Sequence, residues 1–266
     1  MDETPVKVGS MLFTLVDPHR GHEVAYNRWY ERDHFYAGCM VGPWLFAGRR
    51  WVATRHLKDR RFPHDSPVAV PVDAGSYLAV YWVQEGHHEE HFRWANKQVH
   101  ALYAAGRGFA ERTHVHTALY ERAGVTYRDR DPVPVELALD HPYRGLITVF
   151  LDAGEGVSRP DLLGRVTGGP LRDLMAHTPI AIAAAWYPIL GTGEGRSGAP
   201  MDLGSPPGGE GRVLQLLFCE SGPSDAWDAV AAYVEAVEAT RSARLALAAA
   251  FLPTIPGTDS YVDELW

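Results

Sequence analysis

The sequence predicts an α+β fold in which two βαββαβ repeats pack sheet to sheet as a barrel within one chain. Two observations predict it: the same order of strand and helix patterns occurs twice, and a proline-containing segment separates the two occurrences. The chain has 266 residues, 46% of them hydrophobic, which is enough for a large core. We expect a first repeat at residues 1–126, a linker at 127–142 and a second repeat at 143–266.

In the first repeat, apolar or alternating runs predict strands, and apolar residues spaced three to four apart predict helices. The strand patterns cover residues 10–16, 44–54, 77–83 and 113–122. The helix patterns cover residues 22–40 and 89–106. Together they give the order strand, helix, strand, strand, helix, strand.

The second repeat has the same order, with strand patterns at residues 146–151, 180–190, 212–219 and 247–254. Its helix patterns lie at residues 161–175, where two glycines and a proline interrupt the spacing, and at 224–243. The alanine-rich run of the last strand is also compatible with a longer helix. A βαββαβ unit is a ferredoxin-like, four-stranded antiparallel sheet with both helices on one face. Two such sheets can cover each other as a closed barrel, and we expect a cavity between them.

Charge and histidine are unevenly distributed along the chain. The 25 basic and 33 acidic side chains give a net charge of −8, which disfavours a nucleic-acid-binding protein. Residues 1–130 carry a net charge of +2 and residues 131–266 one of −10, and eleven of the thirteen histidines precede residue 120. We therefore expect the first half to carry the polar chemistry.

Cysteine content and hydropathy limit the location of the protein. Cys39 and Cys219 are the only cysteines, which excludes a disulfide framework and a four-thiolate zinc site. The first residues lack the pattern of a secretory signal, and no apolar run approaches the ~20 residues of a membrane span. We expect a cytoplasmic protein without a membrane partner.

Three motifs lie close together in the first half. Residues 29–34 read Trp-Tyr-Glu-Arg-Asp-His, residues 42–44 Gly-Pro-Trp, and residues 49–51 Arg-Arg-Trp. This combination resembles the EthD-like branch of the dimeric α+β barrel superfamily, in which a helix ending in Trp-Tyr-x-x-x-His precedes a strand with an Arg-aromatic pair. The resemblance covers residues 10–122 and implies a small-molecule cavity, with Trp29, His34 and Arg50 at the site. Members of the superfamily include monooxygenase-like proteins, cyclases, lyases and heme enzymes, so the fold alone does not fix the reaction.

The sequence departs from the family pattern in two places. Phe35 follows His34 where the family commonly has proline, and the second half has Pro170 at the position equivalent to His34. We expect one active site per chain, with the second half contributing an apolar wall.

Strand alternation then selects the side chains that face the expected cavity. The polar face of residues 113–122 carries His114, His116 and Tyr120, although these histidines could also be ordinary half-exposed residues. On residues 77–83 the tyrosines are the better candidates, and on the strand at 212–219 only one polar residue stands out. These candidates are Tyr77, Tyr81 and Gln215.

The leading hypothesis is a cofactor-free enzyme of the cyclase, dehydratase or isomerase type, acting on a hydrophobic aromatic or polyketide-like substrate. His34 is the expected general acid and base, because imidazole titrates near neutral pH. His114 or His116, with Tyr81 or Tyr120, would orient the substrate and stabilise an enolate-like oxygen. Trp29, Tyr77, Arg50 and Gln215 complete the predicted substrate-binding set.

Two alternatives come from other functional classes: a heme- or divalent-metal-binding oxidoreductase, and a non-catalytic protein that binds a hydrophobic ligand. The histidine-rich string at residues 87–91 has metal-like spacing but is typical of a solvated helix start. Residues 193–198 match G-x-G-x-x-G without a following helix, so residues 191–211 are interpreted as a lid or an insertion. A monomeric barrel is sufficient, although the outer helices could form a homodimer.

Overall fold

The computed structural model describes residues 5–190 and 198–266, and within them eight antiparallel strands form one closed barrel. The fold class predicted from the sequence is therefore confirmed. The strands are β1 (Val8–Pro18), β2 (Leu45–Val52), β3 (Tyr77–Gln84), β4 (Arg112–Tyr127), β5 (Gly145–Ala153), β6 (Ile180–Pro188), β7 (Arg212–Cys219) and β8 (Ala243–Pro253).

The helices lie at α1 (Glu23–Trp29), α2 (Arg55–Lys58), α3 (His88–Ala104), α4 (Arg159–Gly168), α5 (Pro170–Ala176) and α6 (Ser224–Ala239). Two predicted helices differ from expectation. The pattern at 22–40 is α-helical only to Trp29 and continues as a π-helix, Tyr30–Met40. The pattern at 161–175 divides at Gly169, because Pro170 cannot donate a backbone hydrogen bond and starts a new helix. None of the helices in the described ranges has the length and apolarity needed to cross a membrane.

The barrel joins two four-stranded sheets edge to edge. Around the barrel the strands run β1-β3-β2-β8-β5-β7-β6-β4, so β4-β1-β3-β2 and β8-β5-β7-β6 are equivalent sheets. The β2–β8 junction has only two paired positions, at Trp51 and Val52. The β4–β6 junction is longer, because β4 pairs with β6 between residues 120 and 127, and residues 122–127 extend beyond the pairing of β4 with β1. One strand therefore belongs to both sheets.

Aromatic pairs fill the space between the two sheets. The ring centroids of Phe13 on β1 and Phe150 on β5 are 5.6 Å apart. The ring pairs Trp51–Phe218 and Trp82–Trp186 lie at 6.2 Å and 4.9 Å and link β2 to β7 and β3 to β6. All six side chains are buried. The expected cavity between the sheets is therefore wrong, since this region is a packed core.

The same packing corrects the orientation of β3. Val80 lies opposite Phe13 and faces the barrel interior, so Tyr77 and Tyr81, which have the other parity, face the helices. The prediction that these tyrosines face the space between the sheets is therefore wrong. The reason is that the apolar residues of the other parity, Leu78, Val80 and Trp82, pack in the core between the sheets.

The aromatic core predicts a large loss of stability on truncation. Trp82→Ala removes half of the stacked pair with Trp186, and we expect it to lower the free energy of unfolding by about 3–5 kcal/mol. Tyr36→Ala, at an exposed position, is the control and should change it by less than about 0.5 kcal/mol. Urea denaturation measures both values. A cost below about 1 kcal/mol for Trp82→Ala would show that the two sheets are not held by this packing.

Candidate functional site

A cavity of about 340 Å³ lies on the helix side of the first sheet, at the start of β4. We call it the first cavity. Its wall combines apolar rings with polar groups, and a short segment from the second half, residues 200–202, contributes part of the lining. The lining residues are Tyr103, Phe109, Ala110, Arg112, Thr113, His114, Pro200, Met201 and Asp202.

Arg112 is the central polar residue of this cavity. Its guanidinium donates hydrogen bonds to the Tyr103 hydroxyl at 2.8 Å, to the Phe109 carbonyl and to His114 Nε2 at 3.2 Å. It also lies 4.6 Å from the ring centroid of Trp29, a cation–π contact. All these partners are neutral, and among the described residues no carboxylate is within salt-bridge distance of Arg112. The cavity wall therefore carries a guanidinium without an ion pair, and the one carboxylate among the described lining residues, Asp202, lies beyond salt-bridge distance of it.

His114 enters this site because of a bulge in β4. Leu15 of β1 pairs with His116, but the next residue, Val16, pairs with His114, which leaves Val115 as an extra residue. The bulge turns His114 to the helix side. Because Arg112 always donates, His114 Nε2 is an acceptor and its proton is on Nδ1, which lies 2.8 Å from the Thr117 hydroxyl oxygen.

His34 lies beside the first cavity without lining it. Its ring stacks on Trp29 with a centroid distance of 4.6 Å, and Trp29 also stacks on Phe109 of the cavity wall at 5.4 Å. Residues five apart lie on different faces of an α-helix of about 3.6 residues per turn. The wider π-helical winding brings them over each other. A Cβ at Gly38 would lie only 2.8 Å from His34 Nδ1, so the glycine provides room for the imidazole.

Both histidines are held in the neutral form. Burial, followed by the positive charge of Arg112, lowers the pKa of His34 to about 3, against an opposing effect of Asp33. Burial, Arg112 and then His34 lower the pKa of His114 to about 3, and Asp202 opposes this shift. The site at neutral pH therefore combines one cation with two neutral imidazoles.

His116 does not belong to this site, because it faces the barrel interior. Its Nε2 lies 2.7 Å from the Tyr120 hydroxyl, and its Nδ1 lies 2.8 Å from Ser205 Oγ. Ser205 in turn donates to the Val68 carbonyl at 2.7 Å. His116 and Tyr120 are fully buried among core aromatics such as Phe13. The prediction that His114 and His116 face the same cavity is wrong, and the bulge is the reason.

Arg50, Tyr77 and Tyr81 form a separate polar cluster under α1 and the π-helix. Arg50 donates to Asn27 Oδ1 at 2.7 Å and forms an ion pair with Glu31 at 3.2 Å. Asn27 also donates to the Tyr77 hydroxyl at 2.9 Å. The Tyr81 hydroxyl lies 2.7 Å from that of Tyr30, and both phenols are buried. None of the three predicted residues lines the first cavity. Their contacts are those of packing residues that fasten the helix to the sheet.

Gln215 faces the helices of the second sheet and accepts a hydrogen bond from the Tyr233 hydroxyl at 2.8 Å. Strand β6 separates its strand, β7, from β4, and Gln215 contributes to a different cavity from the one that His114 lines. Sequence reasoning missed Arg112 and Tyr103. The signal was present, because Arg112 and His114 are two residues apart on one strand and therefore share a face.

Residues 203–205 pair with β4 along the part of its edge that β6 does not reach. His116 and Ser205 form a parallel bridge, and Thr117 donates to the Leu203 carbonyl at 2.9 Å. Gly204 has a φ of 72°, and a Cβ there would collide with the Val115 carbonyl at 2.3 Å. This pairing places residues 200–202 over the first cavity. Residues 193–197 of the G-x-G-x-x-G match lie outside the described residues, so the lid interpretation is untested there.

The residues around the first cavity do not fit a metal centre. In the described ranges no group of three or more His, Cys, Asp or Glu side chains is close enough together to hold a metal ion. His114 already uses both ring nitrogens, for Arg112 and Thr117. The histidine-rich string is also dispersed, because His91 binds the Pro43 carbonyl and His87 stacks on Trp44. A metal-dependent step has no support in this donor set.

Comparison with solved structures assigns the fold. An anthrone oxidase-like protein is 9% identical, with a TM-score of 0.54 and coverage of 94% of this chain and 95% of that chain. A provisionally named chlorite dismutase is also 9% identical, with a TM-score of 0.54 and coverage of 97% and 100%. A provisionally named monooxygenase of Fusobacterium nucleatum is 7% identical, with a TM-score of 0.50 and coverage of 92% of each chain.

These proteins belong to the dimeric α+β barrel superfamily. This chain has the same fold. No family model and no curated protein matches the sequence. Because the identities are below 10%, the likeness concerns the fold alone, and the EthD-like branch remains a prediction.

The charge arrangement predicts a shift in two pKa values. Arg112→Gln removes the cation that lowers the pKa of both His34 and His114, so both values should rise. They should stay below 6.5, because burial is the larger cause in each case. NMR titration of the imidazole resonances measures them, with Arg32→Gln on the exposed face of the π-helix as the control. Unchanged pKa values in Arg112→Gln would contradict the proposed coupling.

The low pKa values of His34 and His114 also predict that the folded chain is less stable at acidic pH. Between pH 6.5 and 5 the two histidines are neutral in the folded chain but become protonated when it unfolds. The free energy of unfolding should therefore fall as pH falls, by up to about 1.4 kcal/mol per pH unit for each histidine. Urea denaturation at several pH values should give a shallower pH dependence for the double variant His34→Gln/His114→Gln. His64→Gln, at an exposed position, should leave the slope unchanged.

Proposed function

We propose that the chain is a cofactor-independent enzyme that removes a proton from a hydrophobic aromatic or polyketide-like ketone or phenol bound in the first cavity. The observation that carries the proposal is the guanidinium of Arg112 at the cavity wall, which forms no ion pair among the described residues and donates to the neutral imidazole of His114. A positive group without an ion-pair partner is suited to an oxygen that becomes negative during the reaction.

His114 is the base that the geometry favours. It lines the cavity, its tautomer is fixed by the Nδ1 contact with Thr117, and its Nε2 carries the lone pair. In the proposed step the Arg112 hydrogen bond moves from His114 Nε2 to the oxygen of the incoming substrate. The freed Nε2 lone pair then takes a proton from the carbon next to the substrate carbonyl. The C–H electron pair forms a carbon–carbon double bond, and the carbonyl electrons move to oxygen. The resulting enolate oxygen is held by Arg112 and by the Tyr103 hydroxyl.

With its low pKa His114 is a weak base in the free enzyme, and it becomes a stronger base only when substrate is bound. In the empty site the Arg112 charge opposes protonation of His114. An enolate next to Arg112 compensates that charge, so the imidazole becomes more basic as the negative charge develops. His34 has a positioning role in this scheme, because it supports the Trp29 ring on which Arg112 rests. The sequence predicts His34 as the base, and we propose His114 in that role instead.

Three fates of the enolate correspond to the reaction types expected from the sequence. Return of the proton at another carbon gives isomerisation, attack of the enolate carbon on a second carbonyl gives cyclisation, and loss of hydroxide as water gives dehydration. The choice depends on the substrate that the cavity accepts. Non-catalytic binding remains the alternative in which the ligand binds but no proton moves.

Oxidation is a second candidate function, favoured by the names of the structural neighbours, an anthrone oxidase-like protein and a monooxygenase. The same carbanion could react with dioxygen. For a diaryl methylene group, one O₂ per substrate would convert CH₂ to C=O and release one water. Oxygen consumption would distinguish this function from the three redox-neutral ones, and a Soret-region spectrum would reveal a heme.

Deuterium exchange into a model ketone tests the proposal. Anthrone is a suitable probe, because its methylene protons are acidic and its enolate oxygen would meet Arg112. Without oxygen, in D₂O, the chain should accelerate exchange at the methylene carbon over buffer alone, followed by ¹H NMR. His114→Gln and Arg112→Gln should each slow the protein-dependent rate by about 100-fold or more.

His34→Gln is the matched comparison and should reduce the rate by less than about tenfold. A loss in His34→Gln equal to that in His114→Gln would assign the base to His34. An absence of acceleration by the wild-type chain with bound anthrone would leave only the binding function. The exchange rate of the wild type at low anthrone concentration, plotted against pH, should not fall near pH 6.5. The reason is that the pKa of the base, His114, is about 3 in the free enzyme.

A further inference from the structure

A second cavity of about 340 Å³ lies on the helix side of the second sheet, between α4, α5 and strands β4, β6 and β7. Small residues create the space. Ala183 and Ala185 of β6 line its floor, and the helix break at Gly168 opens its side, where a Cβ would meet no atom within 4 Å. Leu163 and Leu171 from the two helices give it apolar walls. This second cavity shares no lining residue with the first.

Gln215 supplies an unsatisfied hydrogen-bond donor to the second cavity. The residue is 1% exposed, and its Oε1 accepts from the Tyr233 hydroxyl at 2.8 Å. In this arrangement the phenol donates and the amide oxygen accepts, so the NH₂ end of the amide is directed away from Tyr233. The Nε2 atom is buried and has no hydrogen-bond partner. A buried amide without acceptors is costly, so an acceptor oxygen in the cavity would restore the lost hydrogen bonds.

Arg172 supplies a positive charge to the same cavity. It lies at an exposed position of α5 and lines the cavity, and no ion pair in the described part of the chain involves it. Other arginines of this half, such as Arg159 and Arg241, also lack an ion pair among the described residues, but Arg172 is the arginine that lines the second cavity. A carboxylate is the group that a guanidinium at the surface binds best.

We propose that the second cavity binds a small aromatic carboxylic acid with an uncharged acceptor oxygen at the end remote from the carboxylate. The acceptor oxygen lies on Gln215 Nε2 at the buried end, the ring lies between Ala185 and the leucines, and the carboxylate lies at Arg172. The volume of about 340 Å³ is suitable for a ring of one or two cycles. This site is independent of Arg112 and His114, so it does not rest on the proposed reaction.

A pair of isosteric ligands tests the role of Gln215. The probe is 4-acetylbenzoate, and the control ligand is 4-isopropylbenzoate, which has the same number of non-hydrogen atoms with a methyl group in place of the acceptor oxygen. Isothermal titration calorimetry on the full chain should show at least about tenfold weaker binding of 4-isopropylbenzoate, the equivalent of one hydrogen bond to a buried donor. Equal affinities, or no binding of 4-acetylbenzoate, would overturn the proposal.

Variants then locate the binding. Arg172→Gln, at an exposed position, should weaken 4-acetylbenzoate by about tenfold, and Ala185→Leu should abolish binding by filling the cavity. The Ala185→Leu result counts only if this variant has the wild-type circular dichroism spectrum. If it is misfolded, the comparison of the two ligands and the Arg172→Gln variant decide the outcome. Arg112→Gln should bind 4-acetylbenzoate as the wild type does. Loss of binding in Arg112→Gln but not in Arg172→Gln would place the acid in the first cavity and overturn the proposal.

Discussion

The packed interior of the barrel is the constraint on which the rest of the structure depends. Pairs such as Trp82–Trp186 fix the inner face of each strand, and a shift of one residue would move every side chain to the other face. Because the interior is full, room for a ligand exists where helices cover the outer faces of the sheets. Both cavities lie there, one on each sheet. The packed interior therefore determines which polar residues face a cavity, although the interior itself contains no residue of either proposed site.

Strand β4 departs from regular alternation at Val115 and again at Ala123, and the first site depends on the departure at Val115. The extra residue Val115 separates His114 from His116, which then have opposite surroundings. His116 is enclosed by the core and bound to Tyr120 and Ser205. His114 reaches the helix side and meets Arg112. The pairing of residues 203–205 with the edge of β4 holds this geometry and also covers the first cavity.

The element order and the fold class could be predicted from the sequence, because strand and helix periods depend on local composition. The strand at Arg212–Cys219 has the predicted bounds. The inner face of each strand could not be predicted in the same way, because both faces of β3 are apolar or aromatic and the partner sheet selects one. The bulge at Val115 and the π-helix that stacks His34 on Trp29 leave no periodic signal, since each results from contacts between distant segments. Arg112 is not among the predicted site residues because the predicted strand begins at residue 113, one residue after the first residue of β4.

A comparison of two arginines in the first half shows what distinguishes a structural charge from a functional one. The difference is the presence of an ion-pair partner, not the degree of burial. Arg50 is 5% exposed, is paired with Glu31 and joins a helix to the sheet, so its charge is already satisfied. Arg112 has only neutral hydrogen-bond partners, and its charge adds to burial in lowering the pKa of the two nearest imidazoles. Adding a ligand anion near Arg50 would compete with Glu31, whereas adding one at Arg112 completes a pair that the protein leaves open. The energetically favourable place for developing negative charge in this half is therefore the first cavity.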